Sequence, residues 1–311
     1  MKALILGAAG FVGGYLIEEL KKSGKYDITA TKLSFETLNI CDAVVKDVDI
    51  CDLAQIKQVL REIKPDVIFH LAAQSSVKKS WEKPQLTVEI NVLGAVNLFE
   101  AVRSEHPTAK IVVIGSSEEY GDIDYSAPVK ETVMPNPKNI YALTKRTQEE
   151  LARIYCQAYG LDIVLTRSFN HIGPKQLPQF VVADFCSQVA KIEKGIQIPE
   201  IKVGNLAAKR DFTDVRDVVN AYVLLAEKGV KGEIYNVGSG VSVEIAEILN
   251  YIVSLSDRKI VVKIDESKMR PIDVLDVKAD IEKLSALGWT RKYSLQQTIK
   301  ETLDYFRKDT L

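Results

Sequence analysis

The strongest constraint on this chain lies at its head. Lys2-Ala3-Leu4-Ile5-Leu6 reads as a short buried strand, and it runs directly into Gly7-Ala8-Ala9-Gly10-Phe11-Val12-Gly13. An amphipathic helical pattern then continues to about Lys22, with Glu18, Glu19, Lys21 and Lys22 on its polar side. Glycines at this spacing between a strand and a helix let backbone N–H groups approach a pyrophosphate, and the helix N-terminus adds its partial positive charge. The second strand, Asp27–Thr31, ends in Lys32-Leu33-Ser34. An acid about 20 residues past the glycines would bind the ribose 2′-hydroxyl of NAD. Thr31, Lys32 and Ser34 hold that place here, a cation with two hydroxyls that suits a 2′-phosphate. The cofactor implied is NADP(H), with NAD(H) left open.

The rest of the chain keeps the rhythm that this start sets. Strands are expected at Val44–Ile50, Pro65–His70, Lys110–Ile114 and Asp162–Thr166. Between them lie a helix capped by Asp52 and running to Ile63, a long helix from Trp81 to Glu105 carrying Asn91, and a helix from Tyr141 to Gly160. A loop from Asp122 to Pro137, with Pro128, Pro135 and Pro137, resets the chain before the last of these. Strands alternating with helices predict an α/β fold, a Rossmann-type doubly wound parallel sheet with ligands at the carboxyl ends of its strands.

Beyond Thr166 the pattern is less regular. Helices are expected near Phe180–Lys194, Val215–Lys228, Val243–Leu255, Asp280–Leu287 and Leu295–Arg307, and short strands near Ile201–Val203, Ile234–Asn236 and Ile260–Lys263. No linker or repeat divides the halves. The expected organisation is a dinucleotide-binding domain over 1–168 to which the chain returns near 211–238. A smaller, interleaved C-terminal substrate-binding domain takes 169–210 and 239–311.

Composition narrows the partners. With 41 basic and 42 acidic residues in 311, the net charge is −1, so no bulk field draws the chain to nucleic acid or an anionic membrane. The four cysteines, Cys41, Cys51, Cys156 and Cys186, show no Cys-x-x-Cys pair and read as free thiols. The histidines, His70, His106 and His171, do not stand at metal-ligand spacing, so no metal is expected. The apolar start is broken by glycines and followed by charged residues, unlike a secretory signal, and no run of about 18 apolar residues offers a membrane span. The expected location is cytoplasmic.

Chemistry is concentrated in Asn139-Ile140-Tyr141-Ala142-Leu143-Thr144-Lys145. Tyr141 and Lys145, four residues apart, leave the same face of a helix. An ammonium beside a phenol favours the phenolate and is expected to pull the Tyr141 pKa down, making a proton donor and acceptor without a histidine.

Together these residues resemble the extended short-chain dehydrogenase/reductase superfamily, in its nucleotide-sugar-modifying branch, over essentially the whole chain. The resemblance implies that Gly7, Gly10, Phe11, Val12 and Gly13 form the cofactor loop and that Asp49 and Ile50 contact the adenine. It places His70-Leu71-Ala72-Ala73 beside the cofactor ribose and makes Ser116, Tyr141 and Lys145 the catalytic set. Ser116–Gly121, Phe169-Asn170-His171-x-Gly173-Pro174, Val203–Phe212 and Arg270-Pro271 are similar to the GDP-mannose group. The implied substrate contacts are Ser117, Glu118, Asn170, Asn205, Arg210 and Arg270.

That group contains 4,6-dehydratases and 4-ketoreductases. Glu118 stands where the dehydratases place a catalytic glutamate. Ser116 replaces their threonine, and the compact carboxyl half with Arg167-Ser168-Phe169-Asn170 is more similar to the reductases. The resemblance therefore implies NADPH-dependent reduction of the C4 ketone of GDP-4-keto-6-deoxy-D-mannose to GDP-D-rhamnose, a deoxysugar precursor for cell-surface polysaccharide. A GDP-mannose 4,6-dehydratase is the alternative, with a UDP-sugar 4-epimerase or a non-catalytic NADP-binding regulatory protein behind it. A homodimer is implied, built through a four-helix interface from the Trp81–Glu105 and Tyr141–Gly160 helices.

Overall fold

Residues of the first strand alternate between two helical layers, which places the strand at the centre of the molecule. Ala3 and Ile5 pack with Leu16, Ile17, Val218, Tyr222 and Leu225 on one side, while Leu4 and Leu6 pack with Ile56, Leu60, Leu98, Phe99 and Tyr155 on the other. A strand buried on both faces requires this continuous apolar run. The computed structural model describes residues 1–38, 43–121, 127–269 and 276–309. Cys41, the Asp122 end of the proline loop and the Arg270-Pro271 pair lie outside the described residues.

Six strands come first: β1 (Lys2–Leu6), β2 (Asp27–Lys32), β3 (Val44–Asp47), β4 (Val67–His70), β5 (Lys110–Ser116) and β6 (Asp162–Ser168). Six more follow: β7 (Asn170–Ile172), β8 (Glu200–Val203), β9 (Lys209–Asp214), β10 (Ile234–Val237), β11 (Ser242–Glu244) and β12 (Val261–Ile264). Seven of them form one parallel sheet in the order β10-β6-β5-β4-β1-β2-β3, a Rossmann-type arrangement. Strand order reverses between β1 and β4, and such a switch point opens a crevice at the carboxyl ends of the strands. The glycine loop follows β1 and the Leu71-Ala72-Ala73 segment follows β4, so both line that crevice.

Later segments also pack on this sheet: β10 pairs with β6, and the Val215–Lys228 helix packs on the Phe11–Ser23 helix. A separate apolar core joins the Val181–Glu193, Ile245–Ser254 and Leu295–Asp309 helices with β8, through Phe185, Val189, Ile201, Ile248 and Leu303. Three strands had no expectation in the periodicity. β7, β9 and β11 form a small sheet of their own, too short to show alternation.

One helix differs from its expectation. The segment from Trp81 to Glu105 is not continuous: Val77–Glu82 ends at Lys83, Pro84 starts a new turn to Val88, and Glu89–Leu93 is a π-helical turn before Gly94–Glu105. Pro84 cannot supply the N–H that would continue the first helix. The π turn coincides with Asn91, which is buried and makes three polar contacts. Its amide nitrogen donates to Gln74 O and Thr144 Oγ1, both at 3.0 Å, and its oxygen accepts from Gln74 N at 2.8 Å. A displaced turn of this kind is common where a helix side chain serves a site. Asn91 thereby ties the loop after β4 to the helix carrying Tyr141.

Candidate active site

The glycine loop is shaped by what each position excludes. Gly7 has φ +80°, and a Cβ on it would lie 2.6 Å from Ala72 Cα, so β1 and β4 can meet only if this residue has no side chain. A Cβ on Gly13 would fall 2.1 Å from Ala8 O. Gly10 differs from both: among the described residues, its chain neighbours apart, the nearest atom to its missing Cβ is Gly7 O at 3.6 Å. It is the N-cap of the Phe11–Ser23 helix, with no side-chain cap and no acid in the first turn. This helix start therefore presents unsatisfied N–H groups to the crevice, the arrangement that a diphosphate needs.

The flanking residues are more committed than their types suggest. Thr31 is buried, and its hydroxyl accepts from Gly7 N at 3.2 Å, bracing the loop from below. Lys32 donates to Asp47 Oδ1 at 2.6 Å and to Leu33 O at 3.2 Å. Its charge is thus shared with a carboxylate at the rim. Ile50 is buried against the Gly94 position, so only its main chain and the exposed Asp49 remain to meet a ligand. Asp49 Oδ1 accepts from Cys51 N at 2.9 Å.

Ser116 ends β5 and begins a short 3-10 turn, Ser117–Tyr120. Its Oγ accepts from Glu118 N at 3.2 Å, which fixes the hydroxyl at the head of the turn, beside the Tyr141 phenol. The helix bearing Tyr141 runs Ile140–Tyr159. Asn139 caps it, its Oδ1 accepting from Ala142 N at 2.8 Å while its Nδ2 donates to Glu118 Oε2 at 2.9 Å. One side chain therefore starts the helix and holds Glu118 against it.

Lys145 lies one turn further along, only 3% exposed. Its Nζ donates to Ile114 O at 2.7 Å and to Gln148 Oε1 at 3.1 Å. Burial pushes its pKa down to about 8, against the opposing pull of Glu119. The expectation that Lys145 pulls the Tyr141 phenol towards neutrality is not met in this structure. Burial raises the Tyr141 pKa, the Ser116 hydroxyl opposes it, and the Glu118 and Glu119 carboxyls add to the rise. Desolvation outweighs one ammonium that is itself bonded to the sheet.

Of the implied substrate contacts, Ser117 and Glu118 stand beside the Ser116–Tyr141 pair. Asn170 and Arg210 belong to the small sheet, where β7 pairs with β9 and sets Asn170 opposite Phe212. Asn170 donates weakly to Asp211 O at 3.5 Å, and Arg210 Nη1 donates to Lys209 O at 2.8 Å. Asn205 lies in the β8–β9 loop, its Oδ1 accepting from Ala207 N at 3.0 Å. Arg270 lies outside the described residues. Among the described residues no cluster of three or more His, Cys, Asp or Glu is placed to hold a metal ion, and no helix is long and apolar enough to cross a membrane.

Two groups at the site lie outside the motifs read from the sequence. Phe11 stacks on His171 with ring centroids 6.1 Å apart and planes at 6°, linking the glycine loop to the segment after β6. Glu119 is fully buried below Ser116. The Phe11–His171 pairing is not visible from sequence spacing, because it joins elements far apart in the chain. For Glu119 the sequence signal is Ser116-x-x-Glu119, the spacing of a capping box, in which the Glu119 carboxylate accepts from Ser116 N at 2.8 Å.

A parallel sheet whose crevice holds a glycine cradle on one side and a serine–tyrosine–lysine set on the other defines an oxidoreductase of the extended short-chain dehydrogenase/reductase type. The chain belongs to the GDP-mannose 4,6 dehydratase family, whose model matches residues 4–302, and relatives of this kind are NAD(P)-dependent nucleotide-sugar enzymes. It is 32% identical over 241 residues to the GDP-6-deoxy-D-mannose reductase of Pseudomonas aeruginosa, spanning 77% of this chain and 79% of that one. The structure of RMD from Pseudomonas aeruginosa complexed with NADPH superposes with a TM-score of 0.88 at 28% identity, covering 99% of this chain and 100% of the other. The Thermus thermophilus UDP-glucose 4-epimerase in complex with NAD gives a TM-score of 0.89 at 31% identity, with 99% of each chain covered.

Proposed function

We propose that this protein reduces the C4 ketone of GDP-4-keto-6-deoxy-D-mannose with NADPH, giving GDP-D-rhamnose. The observation that carries the chemistry is the Ser116 hydroxyl set beside the buried Tyr141 phenol, across the crevice from an uncapped, glycine-headed helix. Similarity to the Pseudomonas aeruginosa reductase supports reduction over dehydration, as does serine rather than threonine at position 116. NADP(H) is the favoured cofactor, and NAD(H) stays open because Asp47 shares the Lys32 charge.

The cradle residues fit a dinucleotide. Gly10 and the first-turn N–H groups would hold the diphosphate, Asp49 and the Ile50 main chain the adenosine, and Ala72, Ala73 and Lys145 the nicotinamide ribose. Bound there, the cofactor supplies the hydride. Tyr141 donates its phenolic proton to the sugar oxygen as negative charge gathers on it. Ser116 donates a hydrogen bond to the same oxygen, stabilising charge where it develops. Lys145 stabilises the phenolate that remains, and this is where its charge acts on Tyr141. Asn170 and Arg270 would orient the GDP diphosphate, with Ser117, Asn205 and Arg210 around the nucleotide sugar. The same reading carries the division into a dinucleotide-binding part and an interleaved substrate part. It also implies a cytoplasmic homodimer, for which the exposed Trp81, Val88, Leu93, Leu143 and Ile154 offer an apolar face.

A second reading, GDP-mannose 4,6-dehydratase, has one observation in its favour. Glu118 is gripped by Asn139 and its charge reaches Tyr141, where an additional acid/base would be needed. One assay separates the two. With GDP-4-keto-6-deoxy-D-mannose and NADPH, the wild type is expected to consume both, and Tyr141→Phe to lose about 1,000-fold or more in kcat, the scale of a lost general acid. Consumption of GDP-mannose with no added reductant overturns the reductase assignment. NAD retained through purification would point instead to an epimerase.

A further inference from the structure

Ser116 and Tyr141 come from separate elements. The serine ends β5, and the tyrosine stands in the first turn of Ile140–Tyr159, beyond the proline loop. Their spacing is therefore set by contacts between the turn after β5 and the start of that helix. Main-chain contacts do part of this. Asn136 N donates to Tyr120 O and Gly121 N to Glu118 O, both at 3.1 Å. Gly121 has φ +61°, and a Cβ on it would overlap Asn136 O, so the two segments meet there as bare backbone.

Asn139 does the rest with the two ends of one amide. Its Oδ1 accepts from Ala142 N at 2.8 Å, and its Nδ2 donates to Glu118 Oε2 at 2.9 Å. The partners fix which end is which, since a main-chain N–H needs an acceptor and a carboxylate a donor. Glu118 passes the contact on, because its own N–H donates to Ser116 Oγ at 3.2 Å. Three hydrogen bonds thus run from the first turn of the helix to the serine hydroxyl. Tyr141 lies inside that turn, between Asn139 and Ala142. The cap alone does not call for asparagine. Aspartate and serine cap about equally well, but aspartate has no hydrogen to give a second carboxylate.

We propose that Asn139 is a positioning residue of the catalytic set: through Glu118 it holds the Ser116 hydroxyl and the Tyr141 phenol at the spacing at which both reach one sugar oxygen. Glu118 is then the link between the serine turn and the helix, a role that needs no proton transfer at its carboxylate. A glutamate at this position is accordingly no sign of dehydration by itself. The effect belongs to the transition state. Ser116 and Tyr141 act on the oxygen as charge gathers there, so loosening their spacing lowers kcat and leaves ground-state binding alone.

The inference rests on Ser116 and Tyr141 acting at the sugar oxygen, and not on which sugar is bound. Asn139→Asp is the decisive variant: equal in size, equal as a cap, and repelling Glu118 where the amide donates to it. With GDP-4-keto-6-deoxy-D-mannose and NADPH, kcat is expected to fall about 10–100-fold, the scale for a misplacement of about 1 Å. The KM for the sugar, NADPH affinity and Tm are expected to hold. Asn139→Ser, a cap with neither the amide nor the repulsion, is expected to fall between this variant and the wild type. It also decides if the Asp variant does not fold. A wild-type kcat in both variants reduces Asn139 to a cap and overturns the proposal. A raised KM with kcat unchanged overturns it too, because Glu118 would then serve only to hold the sugar.

If the wild type leaves the ketone untouched, the reductase reading falls, and the same comparison is made on GDP-mannose turnover, where this pair must also act. The contact itself is read without any sugar. In 15N spectra of the wild type, one Asn139 side-chain amide proton is expected downfield and slow to exchange, as a donor to a carboxylate should be. Glu118→Ala is expected to remove both properties. An amide signal indifferent to that change overturns the proposal, whichever sugar is turned over.

Discussion

Two helices start at the same edge of the sheet and are finished in opposite ways. Leu53–Ile63, after β3, begins at Asp52, whose Oδ1 accepts from Ala54 N at 2.9 Å and Gln55 N at 3.2 Å. Phe11–Ser23, after β1, begins at Gly10 with no side-chain cap. Both have the same unsatisfied first-turn N–H groups. The first helix satisfies two of them with its own carboxylate; in the second, Gly13 N turns back to Gly10 O at 3.1 Å and no side chain caps the others. The lesson is that a missing cap at a well-formed helix start is a positive feature. It marks the place where an external anion is to do the capping.

The largest effect is expected from filling the glycine loop where the protein itself occupies the space. Gly13→Ala puts a Cβ 2.1 Å from Ala8 O, a main-chain atom that cannot yield without moving the loop. Replacing a helix glycine by alanine ordinarily gains about 1 kcal/mol. Overpacking against the backbone is expected to exceed that gain and leave a net loss of about 2–3 kcal/mol. Thermal melts would read it as a large fall in Tm. An unchanged Tm would mean that the loop is not held at this helix by packing.

Gly10→Asp tests the other half of the comparison. Among the described residues, chain neighbours apart, nothing lies closer than 3.6 Å to the missing Cβ, and the residue already has the extended conformation of an N-cap, so an aspartate can adopt the role that Asp52 plays. Tm is expected to hold or rise slightly. Cofactor affinity should fall on the order of 100-fold, because a fixed carboxylate would occupy and repel the position of a diphosphate. Affinity that survives would place the diphosphate elsewhere.

The same contrast explains what could be read in advance. Glycines, caps and strand rhythm act within a few residues, so β1 to β6, the Asp52 cap and the Ser116, Tyr141 and Lys145 positions were all legible. Pairings across the chain were not. Thr31 lies under Gly7, Asp47 shares Lys32, and Glu119 lies 3.9 Å from an Arg167 that is itself held by Glu149 of the Tyr141 helix. Nothing in the local pattern shows that a hydroxyl or a charge is already engaged. The reversed Tyr141 shift has the same cause. Spacing places Lys145 beside the phenol but does not reveal that Ile114 O and Gln148 hold the ammonium, or that both groups are desolvated. The π turn at Asn91 was hidden because its sequence is compatible with an ordinary helix, and contacts with Gln74 and Thr144 select the displaced turn.

The smallest effect belongs to the capped helix. Asp52→Ala removes the acceptor for two N–H groups at an exposed site and is expected to lower Tm by about 2–4 °C, with cofactor affinity unchanged. Asp52→Asn keeps the acceptor oxygen without the charge and separates the two contributions. Main-chain and side-chain hydrogen bonds from Gln55 hold the Asp52 pKa below its ordinary value. A depressed folded-state pKa stabilises the fold above the ordinary aspartate value, and that stabilisation is lost as pH falls through the depressed one. The Tm gap between wild type and Asp52→Asn should therefore be steady at pH 6 to 7 and narrow below about pH 4. A gap that does not narrow in acid would show that the cap acts through geometry alone. The charge that matters at this sheet edge would then be the one brought by a ligand to the uncapped helix.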